Sequence, residues 1–232
     1  MKLIKKLFFA VVLFIFLLIA IVIYMGFRMY MTAVSEMDLQ SKITNIQNDD
    51  DYVSFEELPD RYIEAVIAVE DQRFYEHIGV DFISIGRAIV NNVKAKEIIE
   101  GGSTITQQVA KNMYFTQEKS FVRKVAELFV VHDLEKNYTK EDIFEIYVNI
   151  SYFGDGYYGI GEAAIGYFNK LPKDMTLEEC TLIAGIPNAP SVYSPTKNPD
   201  LAVERQKQVI RKMVGAGQLT QEEAEKLYVS ID

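Results

Sequence analysis

The stretch VEDQRFYEHIG, residues 69–79, sets two adjacent carboxylates, Glu70 and Asp71, where an apolar run ends. Ile63, Val66, Ile67 and Glu70 stand at i, i+3, i+4 and i+7, so Glu70 falls on the apolar stripe of a helix. A carboxyl group desolvated in this way has its pKa pushed upward, which suits proton transfer near neutral pH. Asp71, about 100° further round, is expected to face more solvent. If the helix continues one or two turns, Phe74 and His77 join the same face. An acid that ends the helix or pairs with a buried base fits the same pattern, and the spacing alone does not choose.

Two further stretches carry polar chemistry. In EGGSTITQQVAKN, residues 100–112, Gly101 and Gly102 allow close backbone approach, while Ser103 and Thr104 bring hydroxyls to a helix start. Free N–H groups there favour anions. A plain loop and capping box, Thr104 with Gln107, explains the spacing as well, but not why Gln108, Lys111 and Asn112 follow within two turns. The Walker spacing is absent. In KSFVRKVAE, residues 119–127, Lys119, Arg123 and Lys124 add to Lys111, against one nearby acid, Glu118. This is a local positive site suited to phosphate or diphosphate. Arg123 and Glu127 form an i,i+4 pair, which by itself reads as a surface ion pair.

The elements that must position these residues are mostly helices. Asp60 is placed to cap a helix through RYIEAVIAVED, and Thr104 one through Met113. Ser120, Thr139 and Thr176 are placed to cap three more, Asn198-Pro199 opens one through Met213, and Thr220 with Glu223 starts the last. No region alternates with period two for long enough to demand a sheet. Residues 185–199 hold four of the six prolines and read as an extended surface loop. The stretch YFGDGYYGIG, residues 152–161, suits a turn held by ring packing.

Bulk composition narrows the classes. A net charge of −9 excludes wholesale nucleic-acid binding. The single cysteine, Cys180, excludes an internal disulfide and reads as a buried core residue. His77 and His132 are the only histidines, so a zinc site is not expected; a divalent cation near Glu70 and Asp71 stays open. Leu7–Phe27 carries no charge over 21 residues, roughly 30 Å of helix, enough to cross a bilayer core. Lys2, Lys5 and Lys6 before it, and acids after it, put the N-terminus in the cytoplasm. The expected organisation is a tail at 1–6, a transmembrane anchor at 7–27, a stalk with little committed structure at 28–51, and one domain at 52–232.

Taken together, these stretches resemble the family 51 glycosyltransferases, the peptidoglycan transglycosylases. EDQRFYEHIGVD is similar to that family's E-D-x-x-F-x-x-H-x-G-x-D motif; GGSTITQQ with Lys111-Asn112, RKVAE and KEDIFEIYVN follow in family order. The resemblance implies a mainly α fold: a lysozyme-like helical lobe with a smaller membrane-associated jaw, for which FISIGRAIVNNV, residues 82–93, is the candidate surface. It implies that lipid II is polymerised with inversion, with Glu70 as general base and Glu127 as the second acid supporting the leaving group. Lys111, Arg123 and Lys124 map around the diphosphate; Asp71, Phe74, His77, Thr104 and Gln108 map onto the cleft. No cofactor is required by it, with Mg2+ or Mn2+ as a stimulant. The partners it implies are lipid II, the growing glycan strand, membrane lipid and other cell-wall synthesis proteins.

Lys119 stands where the family commonly has arginine, and Tyr167-Phe168-Asn169-Lys170 where it has Y-F-G-K. The sequence has no K-T-G motif, and its one S-x-x-K spacing, Ser194–Lys197, lies in the proline-rich 185–199 segment, so the expectation is a monofunctional enzyme. A lysozyme-like hydrolase and a non-catalytic scaffold are the rival readings. The anchor reading predicts that the mature protein keeps residues 1–34, and N-terminal sequencing that finds a start near Ser35 refutes it.

Overall fold

A side-chain oxygen at a helix start satisfies backbone N–H groups that the helix leaves unpaired, and such residues punctuate this chain. The computed structural model describes residues 2–97, 101–116, 118 and 120–231. Its α-helices are α1 (Lys2–Glu36), α2 (Leu39–Gln47), α3 (Asp60–Glu70), α4 (Phe82–Ala95), α5 (Ile105–Tyr114), α6 (Phe121–Asn137), α7 (Lys140–Ile150), α8 (Gly159–Phe168), α9 (Leu177–Gly185), α10 (Pro199–Gly215) and α11 (Gln221–Ile231). No strand occurs among the described residues, so the mainly α class holds. Thr104, Ser120, Thr139 and Thr176 cap α5, α6, α7 and α9 as their spacing predicts. Asp60 does not cap α3: Pro59 holds that position and Asp60 lies in the first turn, where its charge still favours the N-terminus.

One core joins the helices. α3 packs against α9 and α10, and α5 lies between α6 and α7. Phe144 is fully buried, with the rings of Phe55, Phe74 and Tyr147 at 5.9, 6.2 and 6.3 Å. Cys180 is buried in the same core, and burial pushes its thiol up to about 12. α4 is different: only Ala88 is buried, while Phe82, Ile83, Ile89 and Val93 are exposed.

Three readings of the sequence change. Residues 28–47 are helical rather than uncommitted: α1 runs on to Glu36, and Asp38 caps α2. Ile43 of α2 is buried, and Lys42 sits 4.3 Å over the Tyr114 ring, so this segment packs on the domain. Sparse apolar residues at helical spacing had been hidden by the polar ones between them. The 185–199 segment is not simply extended, because Ile186–Asn188 forms a 3-10 turn with Ile186 buried. Asn169 ends α8 in the left-handed conformation, φ 54 and ψ 41, which asparagine tolerates, so the turn needs no other shape. The Gly-rich turn is held as expected, with Tyr152 and Tyr158 rings 4.7 Å apart.

Phe144→Ala is expected to cost about 3–5 kcal/mol, because it empties a site surrounded by rings that cannot close over it. Chemical denaturation checks this as a lower midpoint with an unchanged m-value.

Candidate active site

α3 stops at Glu70, and Asp71 leaves the helix with φ −157 and ψ 72. The chain then turns, with the Phe74 N–H donating to the Asp71 carbonyl at 2.9 Å. Phe74 and His77 therefore do not extend Glu70's face. Phe74 is fully buried in the core, with the Lys140 ammonium 4.6 Å above its ring. His77 folds back, its Nε2 at 2.9 and 3.0 Å from the two Asp71 carboxylate oxygens. Asp71 is buried, not solvent-facing, with a side chain 2% exposed. The reason is a partner far along the chain: Asp71 Oδ2 accepts the Ile105 N–H at 3.0 Å. Ile105 opens α5, where unpaired N–H groups and the helix dipole favour negative charge.

That contact draws α5 alongside Glu70. Gln108 donates to Glu70 Oε2 at 2.7 Å, and Arg205 Nη2 lies 3.6 Å from Oε1. The Glu70 side chain is 7% exposed. Burial raises its pKa; the Gln108 bond and Arg205 oppose this, Asp71 adds to it, and Lys111 lowers it. The raised value matches the desolvated carboxyl read from the stripe. Lys111 is lowered by burial; Glu127 and Glu70 both oppose this, while Arg123 and Lys124 add to it.

Glu127 is not a surface residue. Its side chain is 1% exposed, and it accepts from Arg123 at one oxygen and lies 3.1 Å from Lys124 Nζ at the other. Lys124 also reaches Ser103 Oγ at 3.2 Å and Gln107 Oε1 at 3.5 Å, tying the Gly101–Gly102 loop to α6. Thr104 and Gln107 form the capping box, and the Thr104 hydroxyl donates to the Gly79 carbonyl at 2.6 Å. Gly79 has φ +74, and a Cβ there would run into Val131. With Asp71 and Thr104 on its first N–H groups, the start of α5 is committed internally rather than left open to an external anion. Asn112 is exposed on α5. Lys119 lies outside the described residues.

Glu70 and Asp71 line a cleft of about 700 Å³ with Ser103 and Thr104. The opposite wall holds Tyr193, Arg205, Arg211 and Lys212, which the sequence reading missed. Arg205, Gln208, Arg211 and Lys212 recur at i, i+3, i+6 and i+7, a polar stripe with three bases legible on α10 once that wall is known. Arg205 is held by the Gly185 carbonyl at 3.3 Å and by the Tyr193 ring at 5.6 Å. A buried carboxyl thus sits between cations from two directions, an arrangement able to take a proton while an anion forms nearby. The oxygens of Asp71 are engaged by His77 and Ile105, and those of Glu70 face Gln108 and Arg205. This donor set does not fit a divalent cation.

The Transglycosylase family profile matches residues 38–214. Penicillin-binding protein 1F of Bacillus subtilis is 47% identical over 172 residues, covering 74% of this chain and 24% of the relative. Penicillin-binding protein 4 of the same organism is 42% identical over 188 residues, covering 81% of this chain and 30% of the relative. A Cupriavidus necator protein, provisionally named transglycosylase H16_A0665, is 40% identical over 181 residues and 78% of each chain is covered. The chain therefore spans less than a third of the two penicillin-binding proteins.

The resemblance implies that Glu70 is a general base; such a base must be ionised, so the rate falls as pH drops through its pKa. Gln108→Leu removes a bond that stabilises the Glu70 anion, a charge-assisted interaction of about 1.5–3 kcal/mol. The acid limb of the kcat/KM profile should therefore move upward by roughly one to two pH units. An unmoved limb would separate Gln108 from the ionisation that governs the reaction.

Proposed function

The chain belongs to the transglycosylase family, and we propose that it polymerises lipid II into β-1,4-linked glycan strands with release of undecaprenyl pyrophosphate. The observation that carries this reading is the Glu70 environment: a buried carboxyl with a raised pKa, held toward its anion by Gln108 and Arg205 in a cleft walled by cations. Glu70 takes the proton from the acceptor sugar's 4-hydroxyl. The oxygen attacks donor C1 on the face opposite the diphosphate, the C1–O bond to phosphorus breaks, and its electron pair leaves with the diphosphate. An α linkage becomes β, and the proton rests on Glu70. Charge developing on the leaving group is met by Lys111, Arg123 and Lys124. Glu127 acts through Arg123 and Lys124, whose ion pairs it holds. No step requires a metal.

A lipid-linked donor demands a site at the membrane. One helix among the described residues, α1, is long and apolar enough to cross a bilayer. The reading takes it as a single-pass anchor, with the N-terminus cytoplasmic and residues 28–232 outside. The exposed apolar residues of α4 give the jaw a lipid-facing surface. Other wall-synthesis proteins are natural partners on the same membrane.

A hydrolase would use Glu70 to give a proton, and it would need neither the cations nor the anchor. Incubation with lipid II is expected to yield polymer on a gel. Glu70→Gln should abolish polymerisation, by a factor of 10³ or so given the range for one positioned base, while its circular dichroism melt stays near that of the parent. Cleavage of finished peptidoglycan without polymerisation supports the hydrolase instead. An unaffected Glu70→Gln protein supports the scaffold.

A further inference from the structure

Along residues 21–36 of α1, Val22, Gly26, Tyr30, Ala33 and Val34 are the positions withdrawn from solvent, an i, i+4, i+8 stripe on an otherwise exposed helix. The stripe faces α6. A Cβ on Gly26 would meet Val125 Cγ1 at 2.6 Å and the Val122 carbonyl oxygen at 3.1 Å, so the helices touch there with no room for a side chain. One turn on, Phe27 meets Phe129 edge-on at 5.3 Å, and the Tyr30 ring lies 5.5 Å from Phe129. The Tyr30 hydroxyl donates to Asp133 at 2.5 Å. The pairs Gly26–Val125 and Tyr30–Phe129 advance by four residues on both helices, so α1 and α6 run parallel and in register. The other face of α6 buries Ala126, Glu127, Val130 and Leu134 in the domain.

Gly26 is the last residue but one of the uncharged run Leu7–Phe27, which puts Val125 at that run's outer edge. Phe121, one turn earlier on α6 and 87% exposed, falls on the lipid side of the edge. Arg123 and Lys124 flank the edge itself, the level of lipid phosphates. Taking the lipid-linked donor proposed above as given, we infer that α1 is a depth gauge for the site. Its clasp on α6, through Gly26 and Tyr30, holds Arg123, Lys124 and Glu127 at the headgroup level where a membrane-borne diphosphate arrives. Gly26 and Tyr30 are positioning residues, and α1 is part of the scaffold of the reaction rather than a tether.

The test uses the full chain in phosphatidylcholine–phosphatidylglycerol vesicles. Phe121→Cys is labelled with a fluorophore (Cys180 is buried) and its depth is read with lipids carrying quenchers at known levels. Shallow acyl quenchers should be the most effective. Gly26→Val, which wedges the helices apart, should shift that depth and lower polymerisation at least fivefold, mainly through a higher KM for lipid II. Adding Val125→Gly moves the side chain from one helix to the other and should restore most of both. Tyr30→Phe, which keeps the ring, should cost about twofold. A Gly26→Val protein that keeps parental quenching and KM overturns the clasp; so does failure of Val125→Gly to restore a variant that inserts and melts like the parent. If the parent makes no polymer, the donor reading fails, and the quenching alone still decides whether the clasp sets the depth of α6.

Discussion

Asp71 holds the site together. A carboxylate that loses water must gain partners or lose its charge, and Asp71 gains three contacts: two with His77 and one with the Ile105 N–H. Those contacts join the end of α3 to the start of α5 across 34 residues of chain. Removing one partner of a buried charge costs about 3–5 kcal/mol, so the junction is firm. Glu70 sits one residue before the junction, and Gln108 and Lys111 sit on the helix that the junction places. The His77 of the turn is thereby a structural partner of Asp71.

The same physics sorts the remaining charges. The chain is acidic overall, yet its cleft gathers Arg205, Arg211 and Lys212 on the wall facing Glu70. Glu70 and Glu127 are buried among cations on different terms. Glu127 is clasped by Arg123 and Lys124 at short range and holds both cations in place. Glu70 has one hydrogen bond and a more distant guanidinium, which leaves it desolvated with a raised pKa. Two buried carboxyls thus meet different neighbours: Glu127 is ion-paired on both oxygens, while Glu70 is held by one amide and a more distant guanidinium.

The placement of α6 follows from packing on both of its faces. α6 has two faces, one against α1 and one in the core, so the helix that carries Glu127 is set by both. α2 extends this attachment by packing Ile43 and Lys42 onto the domain. α4 leaves a row of large apolar residues without protein cover.

By itself the sequence determined the helical class, most helix starts, the burial of Cys180 and the placement of Glu70 on an apolar stripe. These depend on local spacing and capping, which are properties of neighbours along the chain. The tertiary structure alone decided that Asp71 is buried, that Phe74 belongs to the core, that Glu127 is inside rather than on the surface, and that Arg205 of α10 faces Glu70. It also decided that residues 28–47 fold onto the domain. Each depends on a partner tens of residues away, or on which face of a helix is covered. Local periodicity shows that a side chain is hidden or polar; only the packed arrangement of helices says what it meets.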